Sequence, residues 1–214
     1  MKLTYTIQVC NESRELYSLL NFLTKVIDKE DNINVVADSN RITDRIELVL
    51  EHFKEHITVL RRPFDDFCKN SQFHTDNATG DYIFGIDADE MPQEMLIKNI
   101  KKIIEDTGAE IVAIPRINID PGYTEDFLKR CNYSMNQFGW INWPDYQMRV
   151  YKKCDHIRWT DEMHTKLYGS DKIVALKDEP KLALWHIKSI EKEENRWSNG
   201  NIIKTNTGLY DSLM

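Results

Sequence analysis

What the chain lacks narrows its class first. No stretch of the 214 residues approaches the roughly 18 consecutive apolar residues of a membrane span, so no integral membrane segment is expected. The opening MKLTYTIQVC runs straight into a strand-like pattern, without the apolar core of a secretory leader, so a cytoplasmic location is expected. Cysteine is scarce: Cys10, Cys68, Cys131 and Cys154 are the four, and the closest pair lies 154 − 131 = 23 positions apart. A CxxC zinc or redox site is therefore excluded, and free thiols in a reducing compartment are expected. Positive charge is also in deficit, 28 Lys+Arg against 35 Asp+Glu for a net −7. That balance argues against broad nucleic-acid binding, whose affinity comes from neutralising phosphates. Internal repeats and low-complexity segments are absent. The hydrophobic fraction of 41% with 29% charged residues excludes a disordered chain, and this length buries enough surface to fold without a metal or disulfide.

What is present is an alternation of apolar runs with amphipathic patterns. Residues 4–10, 33–37, 57–60, 82–87 and 110–115 read as strands. Between them, Leu16, Leu19, Leu20 and Leu23 form one helical face, with Ser13 as the expected N-cap. Ile46, Val49, Leu50 and Phe53 form another, a third helix is expected within 66–78, and Leu96, Ile97, Ile100, Ile103 and Ile104 line a fourth after Pro92. Strands separated by helices of this length predict βαβ units and a mostly parallel sheet. From about Arg116 the texture changes: all five tryptophans lie here, and YQMRVY at 146–151 alternates so that Tyr146, Met148 and Val150 share one strand face, Gln147 and Arg149 the other.

In an open parallel sheet, ligands bind beyond the carboxyl ends of the strands. Two strands end in acids there, one at Asp38 and one at Asp87-Ala88-Asp89-Glu90. In an extended segment Asp87 and Asp89 would share one face, where two like charges repel unless a cation intervenes. A hard divalent ion, Mn²⁺ or Mg²⁺, meets that need and would bridge to a diphosphate. Helix capping ahead of Pro92 is the competing use of the same acids.

The run ATGDYIFGIDADEMP (78–92) resembles the metal-binding segment of family 2 glycosyltransferases of the GT-A fold. RRPFDDF (61–67), IQVCNES (7–13) and VVADS (35–39) resemble further segments of that family, in the branch similar to lipopolysaccharide core glycosyltransferases. IPRINIDPG, GWINWPDYQMRVYKK (139–153), MHTKL and WHIKS follow in the family's order, to about Trp197. The resemblance implies a GT-A domain over 1–197: a Rossmann-like, mostly parallel sheet flanked by helices, with a smaller acceptor-side sheet. Residues 1–92 would form the nucleotide-sugar half, 93–197 the acceptor half, and 198–214 a tail.

The implied activity is inverting, metal-dependent hexosyl or pentosyl transfer from a nucleotide-sugar, a UDP-sugar by preference. Asp38 would hold the base. Asp87, Ala88, Cys10, Asn11, Glu12 and Arg62 would line the nucleotide site, and Asp87, Asp89 and His186 would bind the metal. The catalytic base would be Asp161 or Glu162, since His164-Thr165 stands where the related branch commonly has His-Glu, or else Asp145. Trp140, Trp143 and Arg149 would meet the acceptor: a saccharide, a protein, a small molecule or a modified DNA base. A nucleotidyltransferase is the first alternative, although QVCNESRE lacks the glycines of a phosphate loop. A relative that binds nucleotide-sugar without catalysis is the second.

Overall fold

The computed structural model describes residues 1–160 and 166–188. In chain order its strands and helices are β1 (Leu3–Val9), α1 (Ser13–Val26), β2 (Asn32–Asp38), α2 (Asp44–His52), β3 (Ile57–Arg62), α3 (Phe67–Asn77), β4 (Tyr82–Asp87), β5 (Glu90–Pro92), α4 (Glu94–Thr107), β6 (Ile111–Ile114), β7 (Arg116–Ile119), α5 (Glu125–Arg130), β8 (Gln147–Lys152), β9 (Arg158–Trp159), β10 (Leu167–Tyr168), β11 (Ile173–Ala175) and β12 (Leu184–Ile187). The α/β class and the mostly parallel sheet are as expected. The main sheet has the order β11-β6-β8-β4-β1-β2-β3, and β8 alone runs against its neighbours. A smaller sheet, β5-β12-β7, joins residues 90–92 to the second half of the chain.

Each helix forms where its apolar spacing falls on one side. Leu16, Leu19, Leu20 and Leu23 of α1 and Leu96, Ile97, Ile100 and Ile104 of α4 are buried against Leu3, Tyr5, Ile7 and Val9 of β1. Each such side chain contributes about 1.5–3 kcal/mol of burial. α4 stops at Gly108, whose φ of 65° suits the left-handed cap. The N-cap of α1 is Glu12 rather than the expected Ser13, which is the first helical residue. Pro92 belongs to β5, and α4 begins two residues later.

The opposite face of the sheet is covered by α3 and the antiparallel β9–β10 pair, and its chemistry differs. The residues of β1 that face α3 are Thr4, Thr6 and Gln8, so this interlayer is held by hydrogen bonds. Thr6 Oγ1 lies 2.6 Å from His74 Nδ1, Asn70 Nδ2 donates to Gln8 Oε1 at 2.8 Å, and Asn34 Nδ2 donates to the Asn77 carbonyl at 2.9 Å. Gly80 carries the chain from α3 into β4 so close to β1 that a Cβ there would stand 2.7 Å from the Thr4 nitrogen.

The expected alternation of β8 is broken. Val112 and Ala113 of β6 pair with Val150 and Met148, which leaves Arg149 as an extra residue in a bulge. Val150 consequently packs in the α1/α4 core, whereas Met148 turns to the α3 side with Tyr151 and Trp159.

Candidate active site

The carboxyl ends of β1, β2 and β4 lie side by side, because Val9 pairs with Ala37 and Gln8 pairs with Asp87. The order β3-β2-β1-β4 reverses the direction of winding between β1 and β4, which opens a crevice at that point. Asp38 closes β2 there and is only 6% exposed. Its Oδ1 accepts from the backbone N–H groups of Asn40 and Phe64, at 3.1 and 3.2 Å. Its Oδ2 is buried without a hydrogen bond among the described residues, with the Arg41 guanidinium 3.5 Å away. An unfilled carboxylate lone pair in a crevice is a receptor for a ligand N–H or O–H.

The other nucleotide-side residues are more committed. Glu12 Oε2 accepts from the backbone N–H groups of Cys10 and Asn11, at 3.0 Å each, so two groups expected at the nucleotide are already engaged. Burial, then the Glu12 and Asp38 charges, push the Cys10 thiol up to about 11. None of the four cysteines is in a disulfide, and all four are half-buried. Arg62 pairs with Asp65, donates to the Lys69 carbonyl at 2.7 Å and lies over the Phe73 ring, fixing its own loop.

Beyond β4 the geometry departs from the sequence argument. The strand ends at Asp87, and Ala88 and Asp89 form a turn, so strand alternation does not align the two acids. The charge of Asp87 is met by Arg149, whose Nη2 reaches Asp87 Oδ2 and Glu90 Oε1 at 2.5 Å each. Arg149, read as an acceptor residue, is thus aimed by the bulge into the acid cluster. Glu90, only 1% exposed, also accepts from Arg116 Nη1 at 2.9 Å and, through Oε2, from the Asp87 backbone N–H at 3.1 Å. Desolvation alone would raise the Asp87 carboxyl, but the Arg149 and Arg116 charges hold it below the usual carboxylate range.

Asp145, a candidate base, is taken up in the same network. Its carboxylate accepts from Arg116 Nε and Nη2 at 2.9 and 2.6 Å, from Asn118 at 2.9 Å and from Gln147 at 2.9 Å. Burial pushes its carboxyl up, and Arg116 with these donors outweighs that, so it titrates low. Four accepted hydrogen bonds and a lowered pKa make a poor proton acceptor. Asp161 and Glu162 lie outside the described residues.

The network also fixes the state of His186. Asn118 Nδ2 donates to the Ile141 carbonyl and to Asp145, so its Oδ1 accepts, and His186 Nδ1 at 2.7 Å must carry the hydrogen. Burial, reinforced by Lys188, keeps the imidazole pKa below normal and the ring neutral. The bare Nε2 then faces Asp89 Oδ1 at 3.7 Å, with both side chains largely buried. Two acceptors set across that gap fit a cation between them, in a cluster that gathers Asp87, Asp89, Glu90 and Asp145 about the Arg116 and Arg149 guanidiniums. Among the described residues no group of three or more metal-ligating side chains is assembled, so a cation held here needs oxygen ligands from substrate or water.

Trp140 and Trp143 form a T-shaped pair with ring centroids 5.1 Å apart, and Phe138, 65% exposed, extends it. The Trp143–Pro144 peptide bond is cis. This aromatic ledge immediately precedes Asp145.

Sequence reasoning missed Glu90, Arg116 and Asn118. The sign available was the run of acids at Asp87, Asp89 and Glu90 after a buried strand, which calls for buried counter-ions. Their identity required knowing that β5, β7 and β12 form one sheet.

Among solved structures, S. aureus TarS 1–349 is similar, with a TM-score of 0.61 at 16% identity over 87% of this chain and 60% of that one. The same TarS fragment in complex with UDP-GlcNAc gives 0.62 at 17% identity, over 88% and 59%. At such identities the likeness is one of fold, and it is the GT-A fold that the resemblance implied. This chain spans about 60% of the length of those TarS fragments. No curated protein sequence matches it, and no helix among the described residues is long and apolar enough to cross a membrane. The family model for glycosyl transferase family 2 matches residues 6–167, well over half of the sequence, and the chain belongs to that family.

Proposed function

We propose that this chain transfers a sugar from a nucleotide-sugar, in the first instance a UDP-sugar, to an acceptor hydroxyl with inversion, aided by Mn²⁺ or Mg²⁺. The observation that carries the reading is Asp89 facing the bare Nε2 of His186 across 3.7 Å at the carboxyl edge of the sheet. That edge also presents the unfilled Asp38 Oδ2. TarS, which shares the fold, has been crystallised with UDP-GlcNAc, a ligand of the same class.

In this reading Asp38 accepts from the base and Asp87 contacts the ribose. Asp89 and His186 hold the divalent ion, which when bound stabilises charge on the departing diphosphate. Arg149 and Arg116 hold Asp87, Glu90 and Asp145 in place and favour the ionised forms of Asp87 and Asp145, so the cluster needs little reorganisation when charge develops. A carboxylate on the far side of the sugar takes the acceptor proton, a contribution of about 10²–10⁴-fold. With Asp145 tied to Arg116, that task falls to Asp161 or Glu162. The ledge of Phe138, Trp140 and Trp143 offers flat apolar faces on which an acceptor ring can stack.

The test is thermal denaturation with UDP and UDP-sugars, with and without MnCl₂. Saturation at about 100 Kd adds about 2.7 kcal/mol, a rise of about 5–10 °C in Tm for a chain of this size. Asp89→Ala is expected to keep the apo Tm and lose both the manganese-dependent rise and transfer. An active, metal-responsive Asp89→Ala protein would refute the assignment.

A further inference from the structure

Beneath α3, beside the crevice, lies a half-open recess whose lining includes Thr6, His74, Asp87, Arg149, Tyr151 and Trp159. Two nitrogens of its lining residues, His74 Nε2 and Arg149 Nε, are buried without a hydrogen-bond partner among the described residues. His74 is itself only 7% exposed. Leaving such groups unpaired is costly, and so many in one place mark a site where a ligand supplies the partners.

The tautomer of His74 follows from Thr6. The Thr6 hydroxyl is buried and makes no other hydrogen bond among the described residues, so its hydrogen is satisfied only by donation to Nδ1 at 2.6 Å. Nε2 then carries the ring hydrogen, and Arg149 Nε–H is a second donor. Both nitrogens therefore call for acceptor oxygens. The recess also holds the Asp87 carboxylate, which disfavours an anion, and apolar surface from Ile86, Met148, Tyr151 and Trp159, which suits the C–H face of a ring.

We infer that the recess takes a neutral polyhydroxylated ring, the sugar of the donor, and that His74 is a specificity-determining residue that donates from Nε2 to one of its oxygens. The inference rests on the nucleotide-sugar reading above and adds to it a residue that selects the sugar. Thr6 acts as its positioning residue by fixing the tautomer.

Calorimetric titration of the intact protein with MnCl₂ and UDP, then with UDP-glucose, UDP-galactose, UDP-GlcNAc and UDP-GalNAc, tests it. Wild type is expected to bind one of the four more tightly than UDP. In His74→Phe the affinity for that sugar nucleotide falls about 5- to 10-fold, the worth of one hydrogen bond, while UDP binding stays within about twofold. His74→Gln, which returns an N–H near the Nε2 position, restores most of the loss. Thr6→Val, which leaves the imidazole in place, weakens the same ligand about threefold, and it decides the matter if the His74 variants do not fold.

Sugar-nucleotide binding unchanged in His74→Phe, or in Thr6→Val where that variant decides, would overturn the inference. So would a wild type that binds UDP and treats all four sugar nucleotides alike, and in either case the nucleotide reading stands. Failure of wild type to bind UDP at all would instead remove the nucleotide reading, and the inference with it.

Discussion

Replacing Glu90 by glutamine removes one charge from the centre of the acid–guanidinium cluster while keeping its shape. The Glu90 side chain is fully buried, and Arg116 and Arg149 are each 18% exposed. Breaking a buried pair by neutralising one partner costs about 3–5 kcal/mol, because a desolvated charge is left behind. The amide keeps an oxygen to accept from one arginine, which places the expectation near the lower bound, about 3 kcal/mol, or about 6–12 °C in Tm. Urea unfolding followed by tryptophan fluorescence and by circular dichroism should show a lower midpoint with unchanged slope. Glu47→Gln is the internal control. Its bidentate pair with Arg61, at 2.7 Å twice, has better geometry but is nearly half exposed, and its loss should cost less than about 1 kcal/mol. Equal costs for the two substitutions, or a loss below about 1 kcal/mol for Glu90→Gln, would refute the claim that burial makes this network matter.

Acid should weaken the fold in two stages. Burial lowers the His74 pKa to about 4 against an ordinary 6.5, so the unfolded chain takes up a proton there that the native chain refuses. Its contribution is complete above about pH 6.5 and declines as pH falls toward 4, a difference of about 3 kcal/mol. Asp87 and Asp145, whose pKa values are lowered by their arginines, contribute stability above about pH 4 that is lost as pH falls further. Urea midpoints at pH 7 and pH 5 should therefore differ, and His74→Phe should flatten that difference; an unaltered slope in the variant would contradict it. At the nucleotide edge, Asp38→Asn keeps the acceptor for the Asn40 and Phe64 N–H groups and turns an NH₂ toward the ligand. UDP affinity measured by titration should drop about 10- to 100-fold with Tm nearly unchanged, and unaffected binding would remove Asp38 from the site.

The parts of this fold legible in the sequence are those set by local periodicity. The leucines of α1 and the isoleucines of α4 repeat at helical spacing on a single face, and YIFGID at 82–87 is bounded by turn signals, so one side of each was committed to a core. The bulge at Arg149 was not legible. YQMRVY alternates well as written, and only the mismatch between β8 and β6 shows that one residue must be skipped. That slip turns Met148 to the α3 side, and Arg149 reaches Asp87.

The DAD segment was found because acids at strand ends are conspicuous, but its electrostatics were misjudged. A divalent ion was argued to be needed for Asp87 and Asp89 together, whereas Arg149 meets the first and His186 faces the second. The polar side of β1 gave a signal that was passed over. Thr4, Thr6 and Gln8 alternate with Tyr5, Ile7 and Val9, and that alternation marks a hydrogen-bonded layer under α3 rather than a strand apolar on both faces.

The central claim is that Asp89 and the neutral His186 hold a divalent ion beneath the diphosphate of a bound nucleotide. Anomalous diffraction at the manganese edge, from crystals grown with MnCl₂ and UDP, addresses it directly. The account predicts a single strong peak between Asp89 Oδ1 and His186 Nε2, with phosphate oxygens completing the shell and uracil against Asp38. A well-ordered UDP with no manganese at that position, or manganese bound at a different group of side chains, would contradict it.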